Sequence, residues 1–226
     1  MKRIIIITLI IACAAYFYKD IKPVFNAWKA PLAGKTIIID AGHGGFDGGA
    51  DYEDIHEKSI ALSVSEKVRN HLNGQGAIVL MTREDDIDLA DPNTKGIRTK
   101  KTEDLQKRSR LINHSSADMF ISIHLNAIPD PKLRGAQTFY SPNHPDNEKI
   151  AGFIQMELTS NMKNTTRTAL EIGHVYILNN ASMPGALVEI GFLSNPKERL
   201  LLKKERYQEK MAAAVSRGIL RYFESP

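Results

Sequence analysis

Cysteine is almost missing from this 226-residue chain. Cys13 is its one thiol, and the body beyond residue 30 has none, so no disulfide can form there. That fits a cytosolic protein, and equally one exported by an organism that does not rely on disulfides, so the compartment stays open. A bulk excess of charge is missing too. The formal net charge is +4, but residues 1–30 hold Lys2, Arg3, Lys19, Lys22 and Lys29 against Asp20 alone, and the remaining 25 basic and 25 acidic residues cancel. A neutral body has no bulk excess to grip nucleic acid, which argues against that partner and leaves room only for a local basic patch. Neither G-x-G-x-x-G nor G-x-x-x-x-G-K-[ST] occurs, which argues against a nucleotide site. There is no internal repeat, no low-complexity tract and no H-E-x-x-H metal motif.

What is present is an ordinary globular composition, 42% hydrophobic and 25% charged, long enough for one catalytic domain behind a short N-terminal extension. Lys2 and Arg3 precede an uncharged, mostly apolar run from Ile4 to Tyr18. As a helix that run reaches about 22 Å, short of the ~20 residues of a comfortable span, though flanking lysines can snorkel. The positive amino end favours a cytoplasmic N-terminus and an exported body. Three readings fit residues 1–18: an uncleaved signal anchor, a signal peptide removed near Ala12-Cys13-Ala14, or a lipoprotein signal lipidated at Cys13. Residues 19–33, with Pro23 and Pro31, read as a linker. The catalytic domain is expected over 34–226.

The stretch from Thr36 to Ala50 organises the rest. Ile37, Ile38 and Ile39 predict a strand over Thr36–Asp40 that is buried on both faces. Five glycines then fall between Gly42 and Gly49, so the chain can turn sharply and something can approach it closely. His43 stands just past the strand's carboxyl end, the edge where open α/β sheets bind ligands.

Further along, apolar spacing predicts a helix over Glu57–Leu72 with Glu57 in its first turn, where the helix dipole also favours a carboxylate. Ala77–Met81 reads as a second buried strand. The polar run Glu84–Lys101 reads as a mobile surface insertion near the site. A helix is expected over Glu103–Asn113. Its Arg108 either lies on a solvated face, the favoured reading, or neutralises a buried carboxylate or touches substrate. Met119–Leu125 is a third strand ending at His124. Gln137–Tyr140 and Val175–Leu178 read as short strands, and His174 is a lesser site candidate. Ala186–Ile190 is a buried strand carrying Glu189, an acid too costly there unless paired or working. Helices are expected over Asn147–Met162, Pro196–Leu202 and Tyr207–Phe223. The pattern is that of a single three-layer α/β domain: a mostly parallel twisted sheet, helices on both faces, and a catalytic site at the carboxyl edge of the strands.

His43, Glu57, His124 and Glu189 should therefore meet at one edge. Two imidazoles and one carboxylate make a usual catalytic zinc set, and a second carboxylate free of the metal can move protons. That kit suits amide hydrolysis. The separations are long, 67 residues from Glu57 to His124, so the set depends on the fold to assemble it.

Several motifs, in order, carry a resemblance. They are Ile39-Asp40-Ala41-Gly42-His43-Gly44-Gly45-Phe46-Asp47-Gly48-Gly49-Ala50, then Glu57, Thr82-Arg83, Ser122-Ile123-His124-Leu125-Asn126-Ala127, and Val188-Glu189-Ile190-Gly191-Phe192-Leu193-Ser194-Asn195. From about Gly34 to Phe223 the chain resembles the zinc-dependent N-acetylmuramoyl-L-alanine amidases, and within them the sporulation amidase of endospore formers, which acts on spore cortex peptidoglycan. The resemblance implies one zinc ion (Zn2+) held by His43, Glu57 and His124, with Glu189 as the catalytic carboxylate. It implies cleavage of the amide between N-acetylmuramic acid and L-alanine, followed by a deacetylase that allows muramic δ-lactam to form. It also implies work outside the cytoplasmic membrane, including the forespore intermembrane space. Ala41 stands where the family usually has proline, and Leu125 where a smaller residue is common. No cell-wall-binding repeat follows the domain, so targeting would rest on the N-terminal segment or on a protein partner, which could also be an activator. Two rival readings use the same residues: a zinc peptidase that cuts within the stem peptide, and a cell-wall-binding module without catalysis.

Overall fold

The computed structural model describes residues 30–225 apart from Glu53 and Ala127. The apolar run at residues 1–18 and most of the 19–33 linker lie outside the described residues. Among those described, no helix is long and apolar enough to cross a membrane.

The first strand, β1, spans Thr36–Ala41. Its alternation explains the three-layer build. Ile37 and Ile39 enter the larger core, while Ile38 enters the smaller one on the opposite face, and all three are fully buried. Burying each such side chain is worth roughly 1.5–3 kcal/mol, so a strand of consecutive isoleucines is stable only between two helical layers. A small antiparallel pair follows, β2 (Asp51–Tyr52) and β3 (Ile55–His56). It leads into α1, Glu57–Gly74. The α1 helix has no side-chain cap; the carbonyls of Ala50 and Gly48 accept from its Glu57 and Lys58 N–H groups instead.

The edge strand β4 (Ile78–Met81) and the inner strand β5 (Met119–Asn126) flank β1 in parallel, and β8 (Gly185–Phe192) continues the parallel run beside β5. Beyond β8 lie β6 (Gln137–Tyr140), antiparallel to it, and β7 (Leu170–Glu171), parallel to β6. The order is β4-β1-β5-β8-β6-β7. Helices α1, α3 (Asn147–Met162) and α6 (Glu205–Glu224) cover one face with the larger core. The other face carries α2 (Ile97–His114) and α4 (Tyr176–Asn180). A short α5 (Pro196–Leu202) starts at an Asn195 cap, whose side chain accepts from Lys197 and Glu198 N–H, with Pro196 at the first helical position. The expected three-layer, mostly parallel α/β domain is the one found.

Four local expectations need correction. Val175–Leu178 is not a strand: Tyr176–Asn180 is helical, because Ile177 and Leu178 fill the smaller core while the Asn179 and Asn180 side chains satisfy the carbonyls of Gly173 and Tyr176. A short apolar run does not distinguish the two by itself. The strand expected at Ala77–Met81 is not buried on both faces: as an edge strand it leaves Ile78 58% and Leu80 39% exposed. The polar run does not reach Lys101 as loop, since α2 begins at Ile97. Its remainder is tied to that helix, with Leu89 N–H on Asp104 and Asp91 N–H on Glu103. Finally, Arg108 is not on a solvated face but fully buried.

Candidate metal centre

His43 leaves β1 in a left-handed backbone conformation, φ 57°, a costly choice for a non-glycine residue and one that clusters at functional sites. The turn aims its ring back over the sheet edge, with Nδ1 bonded to Asp47 at 2.9 Å. Lys101 holds the same Asp47 carboxylate at 3.0 Å. From β5, His124 brings its ring to 4.8 Å from that of His43, edge to face.

Glu57 joins the two. Its Oε1 lies 3.2 Å from His43 Nε2 and 3.0 Å from His124 Nδ1, and accepts Leu125 N–H at 2.9 Å. Its Oε2 accepts Ala50 N–H. Both carboxylate oxygens thus have partners, which is why a residue only 4% exposed is tolerated here. His43, Glu57 and His124 each offer one ligand atom, and those atoms lie within 4.8 Å of one another.

The fourth residue stands beside them. Glu189 on β8 is in register with His124 on β5, so the strand pairing sets the two side by side. Its Oε2 is buried without a hydrogen-bond partner. Burial pushes its carboxyl up to about 7; His124 pulls it down and Glu57 pushes it up. His43 and Glu57 instead both favour their charged forms. Burial disfavours a charged His43, but its bonds to Asp47 and Glu57 outweigh that and raise it to about 9. Burial would likewise raise Glu57, yet His124 and His43 hold it well below the usual carboxylate range. The field at this point favours positive charge, and the donor set of two imidazoles and a carboxylate fits a divalent cation such as zinc. His174 lies elsewhere, exposed and outside the group.

Beneath the site is a polar layer that the sequence reading largely missed. Arg108 on α2 pairs with Asp40 at 3.0 Å and Asp104 at 2.8 Å, and donates to the carbonyls of Ala41 at 2.8 Å and His43 at 2.5 Å. Arg83 donates to the carbonyls of Ala41, Gly42 and Lys58. Thr82 and Ser122 hydroxyls complete the Asp40 carboxylate. Two guanidinium groups thus grip the backbone on either side of His43. The available signal was an acid and a serine, Asp40 and Ser122, within two apolar strands.

The chain matches the family described as N-acetylmuramoyl-L-alanine amidase over residues 37–221. It belongs to that family. It is 54% identical over 199 residues to the germination-specific N-acetylmuramoyl-L-alanine amidase of Bacillus subtilis, covering 88% of this chain and 84% of that protein. Among solved structures it resembles the CwlD amidase of Clostridioides difficile, seen in complex with the GerS lipoprotein, with TM-score 0.83 and 42% identity over 85% of this chain and 100% of that one. An N-acetylmuramoyl-L-alanine amidase from Clostridium difficile matches with TM-score 0.75 and 31% identity, over 84% of this chain and 97% of that one. This amidase therefore hydrolyses the bond between the muramoyl lactyl carbonyl and the L-alanine nitrogen, a cell-wall reaction.

Proposed function

We propose that His43, Glu57 and His124 hold one zinc ion and that Glu189 is the catalytic carboxylate. The observation that carries this reading is a half-buried Glu189 whose Oε2 is buried and unpaired, in register with one imidazole of a His–Glu–His group. When bound, the ion supplies a Lewis acid for the amide carbonyl and a water that is acidic near neutral pH. Glu189 takes a proton from the attacking water and delivers it to the leaving nitrogen of L-alanine, so the products are a lactyl carboxylate and a free amino terminus. Asp47 fixes the His43 tautomer and ring orientation, while Ala50 and Leu125 N–H groups orient Glu57.

The substrate in this reading is spore cortex peptidoglycan, and the product feeds a muramic acid deacetylase on the way to muramic δ-lactam. Support comes from the similarity to the germination-specific relative. The relative bound to a lipoprotein makes an activating protein partner part of the proposal. Residues 1–18 serve as the export or membrane-anchoring segment, 19–33 as linker and 34–226 as the catalytic domain.

The test is metal content and product analysis on the full-length protein. One zinc per chain and stem peptides with a free N-terminal L-alanine are expected. Glu189→Gln should retain the zinc and lose roughly 10²–10⁴-fold in rate, whereas His43→Ala and Glu57→Ala should lose zinc. Hydrolysis that survives in Glu189→Gln would refute the proton-transfer role. New amino termini within the stem peptide would show a peptidase instead.

A further inference from the structure

At the same sheet edge, beside β6 and β8, lies a groove of about 420 Å³ lined by Lys132, Arg134, Lys163, Asn164, Thr165 and Arg167, among others, with no carboxylate side chain in its wall. None of its four cationic side chains has a carboxylate within ion-pair distance among the described residues, although Arg167 and Arg134 lie near enough to Glu198 to favour its charged form. The nearby Glu198 is occupied, accepting the N–H groups of Gly135 and Phe192 and the Asn164 amide. Asp130 is spent on Lys132 N–H.

The groove is built. Arg167 donates from Nη1 to the carbonyls of Arg134 at 2.6 Å and Gly135 at 3.0 Å. Its guanidinium lies 5.3 Å from the Phe192 ring centroid. One nitrogen and one face are thereby anchored, while Nε and Nη2 make no hydrogen bond among the described residues. That leaves a preorganised donor pair of the geometry that binds carboxylates. Beside it, Asn164 uses its Nδ2 on Glu198 and Tyr207, and its Oδ1 is buried without a partner. The unpartnered Asn164 oxygen is a buried polar atom at the base of the groove, while the free edge of Arg167 supplies the receptor for an anion.

Its position relates it to the metal centre. Glu189 pairs with His124 on one side and Gln137 on the other. Because β6 runs antiparallel to β8, residues 134 and 135 fall at the carboxyl edge of β8, next to Phe192. Two strand spacings separate β6 from β5, roughly 10 Å. An extended peptide advances about 3.3–3.6 Å per residue, so the second to fourth residues of a peptide leaving from the catalytic edge reach the groove. We propose that the Arg134–Lys163–Arg167 groove is a subsite for the free carboxylates of the stem peptide. This rests on the amidase reading for the direction of the peptide, and the anion chemistry stands on the groove alone.

Binding is measured by titration calorimetry on the full-length protein, so that it is independent of turnover. The probes are a stem tetrapeptide with free carboxylates, the same peptide with those carboxylates as primary amides, and polyglycerol phosphate. The free acid should bind about tenfold more tightly than the amide, in keeping with charge-assisted bonds. Arg167→Gln should abolish that preference. Because Arg167 also braces the loop, the exposed pair Lys132→Gln/Lys163→Gln is the second variant, expected to weaken the free acid alone by threefold or more. Equal affinity for acid and amide, or a preference that survives both variants, overturns the subsite. Polyglycerol phosphate binding that exceeds the peptide and is lost in Arg167→Gln overturns it in favour of a phosphodiester polymer. Cleavage of muramoyl peptides is assayed separately, so failure of the amidase mechanism and failure of the subsite are read from different experiments.

Discussion

A Cβ built on Gly42 would sit 2.4–2.7 Å from three ring atoms of His124. The glycine is therefore needed for close approach of the backbone to a neighbouring imidazole. Gly42→Ala should displace His124 and, on the proposed ligand set, weaken zinc binding by tenfold or more, the scale of disturbing a ligand's surroundings. Metal titration of this variant beside the parent checks it, and unaltered affinity would mean that the ring has room to move. The sequence named His43, Glu57 and His124 as candidates from their expected places at one sheet edge, and the structure brings those three together, although Glu57, at a helix start, also had the helix dipole as an explanation. Arg108 was misjudged because its helix carries many charges, and local charge does not show which arginine faces inward.

Within the elements, the buried layer between α2 and β1 is the feature with the largest energetic stake. Arg108→Met leaves the Asp40 carboxylate buried without its counter-ion and frees the carbonyls of Ala41 and His43. Breaking a buried pair from one side costs about 3–5 kcal/mol, and chemical denaturation should show a loss of that order together with lower activity. The helical layer offers a second test. On α6, a Cβ at Gly218 would lie 2.4 Å from Ile154 Cα on α3. Gly218→Ala gains helix propensity but must push the two helices apart. Overpacking of about 1–3 kcal/mol should win, seen as a lower Tm with the metal site unaffected. An increase in Tm would show that the helices can slide apart freely. Helix α4 shows the limit of propensity reading. Val-Tyr-Ile-Leu suits a strand, but two consecutive apolar residues facing a small core between β8 and α2 are served as well by one turn and a half of helix.

At the scale of the molecule, the buried charge layer predicts how the fold fails in acid. Burial would raise the Asp40 carboxyl, but Arg108, Ser122, His124 and Thr82 together bring it below its ordinary 3.8. A carboxylate depressed in the folded state contributes stability that is present above the unfolded pKa and lost as pH falls through the folded one. Below about pH 4 the native protein should therefore lose stability steeply, and Asp40→Asn, though less stable at neutral pH, should show a flatter acid limb. Equilibrium unfolding at pH 3, 4 and 7 decides this, and parallel limbs would remove Asp40 as a cause.

The sequence by itself determined the layer architecture, the inner strands β1, β5 and β8, the boundaries of α3 and α5, and the four residues that could work at the carboxyl edge. Each follows from local physics: consecutive β-branched residues demand two covering faces, helical spacing demands one, and an acid inside an apolar strand demands a reason. Only the tertiary structure decided that β4 is an edge, that Arg108 turns inward beneath His43, that Glu189 stands in register with His124, and that four cations from residues 132–167 share one groove. Strand order, register and the sign of the charge that a side chain meets depend on residues far apart in the chain, and no local pattern encodes them.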